Sequence, residues 1–445
     1  MANRINETKH ESLKFVGGCV SPEMEMPKLC WLKKFVPMTF DAAEHFMDLA
    51  DFLTYTATGS TTRSLCTLIC KWLFEADKVS WDADFLKTIG LEELCEDNFR
   101  RIGTTFAAPG AYVSGLSSKA AGALGLLPGT AVGSSLIDAY AGALALLSVS
   151  SDVSITPITQ RLALISGTSA CHMALSELPA FVPGVWGPYK GVIPTVTSTK
   201  ELYLNEAGQS YVGPLLDQVV ITYAAGVDKL NVTNPAEFAA NLCKEAYDEQ
   251  DTEAIWLGAK DIHVWPDYAG NRSPLANPNI KSLIYGLVPL QHSNREQTIK
   301  RQFVSIYIAH IQSLALMTRY IIDAIYAKRT FPCNAFKAIY LCGGLQHNEY
   351  YVQAHADVCG LPVVVATSTE ECVAVGAAML GLSAYRQNQH LPIEVEKNPF
   401  VMGKVVYPNS RLKALYNAKY RIFRKLGACA QELFNCETET VNESA

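Results

Sequence analysis

Hydrophobic residues in this chain fall into short runs separated by glycine, proline and small polar clusters, and the period of the runs changes along the sequence. The clearest helical period covers residues 296–326. There Ile299, Phe303, Ile306, Ile311, Leu314, Ile321 and Ile325 recur at spacings that place them on one buried stripe. Beyond it, residues 338–342 form an unbroken apolar run ending in Gly343-Gly344, and residues 348–359 read as a helix stopped by Gly360. Residues 361–366 read as another buried strand, and residues 372–382 as a helix rich in Gly and Ala. Strand, helix, strand, helix in that order predicts a right-handed crossover in an α/β layer.

Upstream the pattern is less regular. Residues 40–53 read as helix or helix and turn, 54–59 as an extended piece, and 116–126 as a helix closed by Pro128-Gly129. Residues 130–137 read as a buried strand with Asp138 at its end, and 139–147 as helix. A polar connector with Pro157 spans 148–160. The apolar run 161–165 then breaks at Gly167-Thr168-Ser169 before an extended pattern resumes at 171–175, which reads as strand, small-residue turn, strand. Residues 206–223 open with a carboxylate and continue as a helix. These breaks predict two units, residues 1–150 and 151–445, with a frayed polar tail after Cys436.

Composition narrows the classes. With 445 residues, 49% of them hydrophobic and 18% charged, the chain is globular and excludes disordered and fibrous proteins. Thirty-seven Lys and Arg against 43 Asp and Glu leave a net charge of -6, and no basic stripe suits a nucleic acid. The basic residues at 33–34 and 419–425 read as solvated helix faces. Thirteen cysteines without a C-x-x-C read as reduced, mostly buried thiols of a cytoplasmic protein. No secretory signal opens the sequence. The apolar stretch 130–150 carries Asp138 and many small residues, so no membrane partner is expected.

Candidate chemistry sits at strand ends. G-x-x-x-x-G-K-[ST] and G-x-G-x-x-G are both absent, which argues against P-loop and Rossmann nucleotide sites, and the dispersed histidines make no metal set. Cys171 and His172 are neighbours on an extended segment and point to opposite faces, so they cannot act as a pair. Gly167, Thr168 and Ser169 form a turn whose N–H groups and hydroxyls can hold a phosphate, although taken alone they are better explained as a plain hairpin turn. Gly343 and Gly344 allow a close backbone approach or a turn. Asp138 suits a general base or a helix cap.

Taken together and in order, these segments resemble the FGGY family of carbohydrate kinases. Phe15-Val16-Gly17-Gly18 and Lys28-Leu29-Cys30-Trp31-Leu32 are similar to its K-L-x-W-L segment, and Ser134 to Gly142 to its catalytic-aspartate segment. Ser166 to Ser169 resemble its second phosphate hairpin. Leu341-Cys342-Gly343-Gly344-Leu345 with Asn348 resembles its adenosine-binding turn, followed by Glu370-Glu371 and Gly376-Ala377-Ala378. Pro183 to Tyr189, His263 to Asp267 and Gly270 to Pro274 look like its D-ribulokinase-like branch. The resemblance implies an α/β, two-lobed actin-like (ribonuclease H-like) sugar-kinase fold. It also implies ATP and Mg²⁺ as cofactors and a small ketose, of ribulose type, as the sugar substrate, and it leaves a homodimer open. By the same resemblance Asp138 would be the general base, and Lys71 and Glu206 would bind the sugar. Gly167, Thr168 and Ser169 would hold the γ-phosphate, and Gly343, Gly344 and Asn348 would face adenosine. Without the family, Lys71 reads as a snorkelling surface residue and Glu206 as a helix-start carboxylate.

The family's D-x-G-T hairpin and W-x-D-x-R contact do not occur in the sequence. An incomplete first lobe is therefore expected. The alternative reading is a catalytically inactive member that acts as a binding or interaction protein.

Overall fold

The computed structural model describes residues 1–149, 157–194, 202–224, 232, 234–247, 253–288, 296–328, 336–366, 372–391 and 403–443. Its centre is a seven-stranded mixed sheet. In spatial order the strands are Lys404–Val406, Val363–Val365, Ala338–Cys342, Arg161–Ser166, Ala170–Ser176, Tyr203–Gln209 and Trp186–Lys190. Ala338–Cys342 pairs parallel with both Arg161–Ser166 and Val363–Val365, and the other pairings are antiparallel. The strand residues are almost continuously buried because both faces are covered.

Alternation assigns the faces. Leu162, Leu164, Ala174, Ala207 and Leu341 meet the helices Gly213–Tyr223, Pro235–Ala246, Glu296–Tyr326, Glu349–Cys359 and Lys413–Glu443. Ala163, Met173, Leu175, Leu204 and Tyr340 point the other way, into a core shared with residues 1–149. The 31-residue helix Glu296–Tyr326 covers the span expected from its period.

Residues 1–149 are mostly helical. Among them the described strands make two two-stranded sheets, Arg63–Ser64 with Phe106–Ala107 and Tyr112–Gly115 with Ala131–Gly133. The expected extended piece at 54–59 is instead the end of the helix Leu49–Thr58, capped by Asp48 and stopped at Gly59. The expected buried strand 130–137 shrinks to Ala131–Gly133, which is half-buried because it lies on a two-stranded ribbon. Glu206 opens no helix, since it lies inside Tyr203–Gln209 and the helix begins only at Gly213. The tail is not frayed at Cys436, because Lys413–Glu443 continues helical past it.

Lys419 overturns the solvated-face reading of residues 419–425. It is 2% exposed, and its Nζ donates to the carbonyls of Ala259 at 2.6 Å and Ile262 at 2.7 Å. The connector at 150–156, Pro332 and Glu370-Glu371 lie outside the described residues. Among the described residues every cysteine is a free thiol, and no helix is long and apolar enough to cross a membrane.

Candidate active site

Two groups of the sequence-selected residues come together in space. The first surrounds Glu206. Its strand turns Glu206 toward residues 1–149, where the carboxylate is 8% exposed. The Tyr140 hydroxyl donates to Oε2 at 2.7 Å. Burial pushes the Glu206 carboxyl above its ordinary value, and the Tyr140 bond, Lys71, Arg272 and the Cys171 thiol pull it back.

Lys71 lies in the last turn of the helix Leu65–Trp72, with Nζ 5.5 Å from the ring centroid of Trp186. Trp186 is the register partner of Glu206 on the adjoining strand. Burial acts to lower the Lys71 ammonium, but the carboxylates of Glu206 and Glu23 outweigh it and hold the pKa above the usual lysine value. Lys71 is thus half-buried and charged over an aromatic face, not a snorkelling surface residue.

A buried carboxylate fixes the helix that carries Lys71. Asp51 accepts from Ser64 N at 2.9 Å, Thr67 Oγ1 at 2.6 Å and Ser135 Oγ at 3.0 Å. These bonds join three segments, and the last of them leads into the helix Asp138–Leu147. Asp138 is its first residue, with Ile137 at the cap position. It is exposed, and its Oδ1 accepts from Ala139 N at 2.7 Å. A carboxylate there is favoured by the helix dipole. Two residues on, Tyr140 reaches down to Glu206, so one helix end presents Asp138 at the surface above the buried group. Gly376 seats that helix: a Cβ there would lie 1.9 Å from the carbonyl oxygen of Ala141, so the helix Cys372–Asn388 crosses at backbone contact.

The second group lines a cleft of about 590 Å³ that includes Gly167, Gly213, Gly344 and Asn348. Gly167 N donates to Ser169 O at 2.9 Å, closing the hairpin turn. The carbonyls of Gly167 and Thr168 accept from Gly213 N and Val212 N, which ties the turn to the next helix. The two glycines after Cys342 differ. Gly343 has φ +93°, and a Cβ on it would meet Ser166 O at 2.3 Å, so the neighbouring strand already accounts for it. A Cβ on Gly344 would meet nothing within 4 Å and would point into open space. Asn348 caps the helix Glu349–Cys359 through Tyr351 N, and its Nδ2 donates to the Tyr307 hydroxyl at 3.0 Å. A neighbouring groove of about 600 Å³, lined by Gln346, Trp256 and Tyr350, contains none of the sequence-selected residues.

No described hydrogen bond or ion pair links the Glu206 group to the cleft at Gly167. His172, set aside in the sequence, is buried with Nε2 2.9 Å from Thr318 Oγ1 and is held neutral by burial, which lowers its pKa to about 3. Cys171 faces Glu206 instead. Sequence reasoning missed Asp51, weighed Cys171 only as a partner of His172, and gave no role to Tyr140, inside the singled-out segment 134–142, or to Trp186 and Arg272. The last two lay within segments already singled out, with no chemistry attached to them.

Comparison with known proteins decides the family. The FGGY family of carbohydrate kinases, C-terminal domain, matches residues 162–385. The human FGGY carbohydrate kinase domain-containing protein is 42% identical over 445 residues, covering 95% of this chain and 75% of that protein.

The chain belongs to the FGGY family of carbohydrate kinases.

Another member, the D-ribulokinase of Saccharomyces cerevisiae, is 32% identical over 409 residues, covering 85% of this chain and 55% of the yeast protein. In fold, this FGGY chain is similar to the crystal structure of xylulose kinase from Rhodospirillum rubrum, with TM-score 0.71 at 17% identity over 97% of this chain and 78% of that one. The actin-like sugar-kinase architecture expected from the sequence is therefore the observed one.

Proposed function

We propose that this chain transfers the γ-phosphate of ATP to a small ketose, most simply a ribulose-type pentulose, with residues 1–150 and 151–445 as its two lobes. The observation that carries the reading is the Glu206 group: a buried carboxylate with one oxygen held by Tyr140, beside a charged lysine on an aromatic face. Charged groups of both signs at an aromatic wall suit a ligand made of hydroxyls. The name of the yeast relative supports a pentulose as that ligand.

Lys71 and Glu206 would hold the sugar hydroxyls. Asp138, exposed at the helix end above them, would accept the proton of the attacking hydroxyl as general base. Phosphoryl transfer asks the protein mainly for positioning and charge stabilisation. Gly167, Thr168 and Ser169 would hold the γ-phosphate with backbone N–H groups and hydroxyls, and Gly343, Gly344 and Asn348 would border adenosine. The cleft volume is in the range of small-ligand sites. Among the described residues no cluster of three metal-ligating side chains occurs. Mg²⁺ in such enzymes is held largely by phosphates and water with one or two carboxylates, and Asp217 and Glu349 bring hard oxygens to the same cleft. Its contribution would be to neutralise phosphate charge.

The test combines calorimetric binding of ATP and a panel of ketoses with turnover by the wild type and Asp138→Asn. Asn keeps the acceptor for Ala139 N but cannot take the proton. Turnover should therefore fall by about 10²–10⁴-fold with sugar and nucleotide affinities unchanged. A loss under tenfold accompanied by a lower melting temperature would leave Asp138 a helix-end residue. Ketose binding with no turnover in the wild type would favour the inactive, sugar-binding reading.

A further inference from the structure

Three segments far apart in sequence meet beside Glu206. Val16 bridges to Trp186, Gly184 N donates to Gly17 O at 3.0 Å, and Ser273 Oγ donates to Gly184 O at 2.7 Å. This junction fixes Trp186, the platform under Lys71, and delivers Arg272 to the same strand face. Gly208, two residues beyond Glu206, makes the delivery feasible. A Cβ at position 208 would lie 2.7 Å from Arg272 Cδ and 3.4 Å from its Nη1. Residues i and i+2 of a strand share a face, so the Arg272 side chain occupies the space that Gly208 leaves empty next to Glu206. Its Nη2 also meets Glu23 Oε2 at 3.5 Å.

We propose that Arg272 is a positioning residue for Glu206: it holds the carboxylate toward sugar hydroxyls from one side as Lys71 does from the other, while Glu23 partly offsets the charge of the guanidinium. The proposal rests on the sugar-binding reading of Glu206 and extends it to a residue on the opposite half of the chain from Lys71. The groups that face Glu206 are Tyr140 from the helix Asp138–Leu147, Cys70 and Lys71 from the helix Leu65–Trp72, Tyr189 and Cys171 from the flanking strands, and Arg272. Only Lys71 and Arg272 among them bring positive charge. Glu23, Arg272, Glu206 and Lys71 therefore alternate in sign around the pocket, and Glu23 acts on both cations.

An ion pair that merely staples two segments loses the same thing whichever partner is removed. An electrostatic role for Arg272 predicts opposite outcomes, because Arg272 favours the Glu206 anion whereas Glu23 offsets the charge of Arg272. The experiment follows the carboxyl resonance of Glu206 by ¹³C NMR in the full chain, assigned by its loss in Glu206→Gln, as pH is varied. Arg272→Met should move the midpoint to higher pH, Arg272→Lys should restore most of the shift, and Glu23→Gln should leave it in place or move it lower. Gly208→Ala, which crowds the guanidinium out while retaining it, should act in the same direction as Arg272→Met and decides the matter if that variant does not fold. In calorimetry, D-ribulose affinity of Arg272→Met should fall increasingly below wild type as pH is lowered toward the Glu206 midpoint, and the two should converge at pH well above it. An unmoved Glu206 midpoint in both Arg272→Met and Gly208→Ala, or identical shifts in Arg272→Met and Glu23→Gln, would overturn the proposal. If the midpoint moves as expected while no ketose binds even the wild type, the role of Arg272 stands and the sugar reading falls.

Discussion

Replacing Glu206 by glutamine separates the proposed binding role from folding, because the structural bond to Tyr140 uses only one of its two oxygens. Oε2 accepts from the Tyr140 hydroxyl at 2.7 Å, and in the proposed sugar-binding role Oε1 would be the oxygen that meets the ligand. A glutamine carbonyl can still accept from Tyr140, so the bond that holds the helix Asp138–Leu147 against the sheet survives. The charge is lost. A hydrogen bond to an ionised acceptor contributes about 1.5–3 kcal/mol, against about 0.5–1.5 for a neutral one. If the other oxygen bonds one sugar hydroxyl, as proposed, the cost is about 1 kcal/mol, or about fivefold in ketose affinity. Nucleotide affinity should stay within about twofold, since the cleft at Gly344 shares no described bond with Glu206. Glu206→Ala behaves differently. It strands the hydroxyl of Tyr140, which is 1% exposed, and an unsatisfied buried polar group costs about 1–3 kcal/mol of stability. Calorimetry with D-ribulose and ATP, alongside thermal melting of both variants, reads the two effects independently. Undiminished ketose affinity in Glu206→Gln together with a destabilised Glu206→Ala would make Glu206 a structural partner of Tyr140 and nothing more.

Two further outcomes follow from the geometry. Gly344→Val should lower ATP affinity by at least about tenfold without lowering the melting temperature, because a Cβ there meets no protein atom within 4 Å and the side chain extends into the cleft; unchanged affinity would remove the turn from the nucleotide site. Lys419 gives a pH dependence: burial lowers its pKa from 10.5 to about 7, so between those values the unfolded chain holds a proton that the folded chain lacks, and stability rises with pH across that window. Below about pH 7 both states are protonated and the full cost of the buried charge is present. The stability of wild type relative to Lys419→Met should therefore rise by a few kcal/mol from pH 7 to pH 10 in chemical denaturation, and a flat difference would mean that the carbonyls of Ala259, Lys260 and Ile262 keep the ammonium charged throughout.

What the sequence determined by itself is whatever is encoded within one element. The stripe from Ile299 to Ile325 sets a helix because 3.6-residue periodicity is a local property, and the whole span Glu296–Tyr326 is helical. The breaks at Gly167 and Gly343 were legible because small residues at the end of an apolar run leave the backbone few alternatives. The errors fell where neighbours decide. The sequence reads Glu206 as a helix start, yet its segment pairs with Ala170–Ser176 on one side and Trp186–Lys190 on the other and becomes a strand. Lys419 looked solvated in a basic stretch, but carbonyls some 160 residues earlier in the chain bind it. The candidate site divides along the same line. Asp138, Lys71 and Glu206 are candidates that ordered motifs single out, while Asp51, Tyr140 and Arg272 enter only through contacts that sequence spacing does not express. The space left by Gly208 matters because Arg272 crosses it, and that crossing exists only once residues 16–18, 184–186 and 270–274 have met. Period and turn chemistry are properties of the chain alone, whereas burial, charge pairing and close approach are properties of what the fold brings next to it.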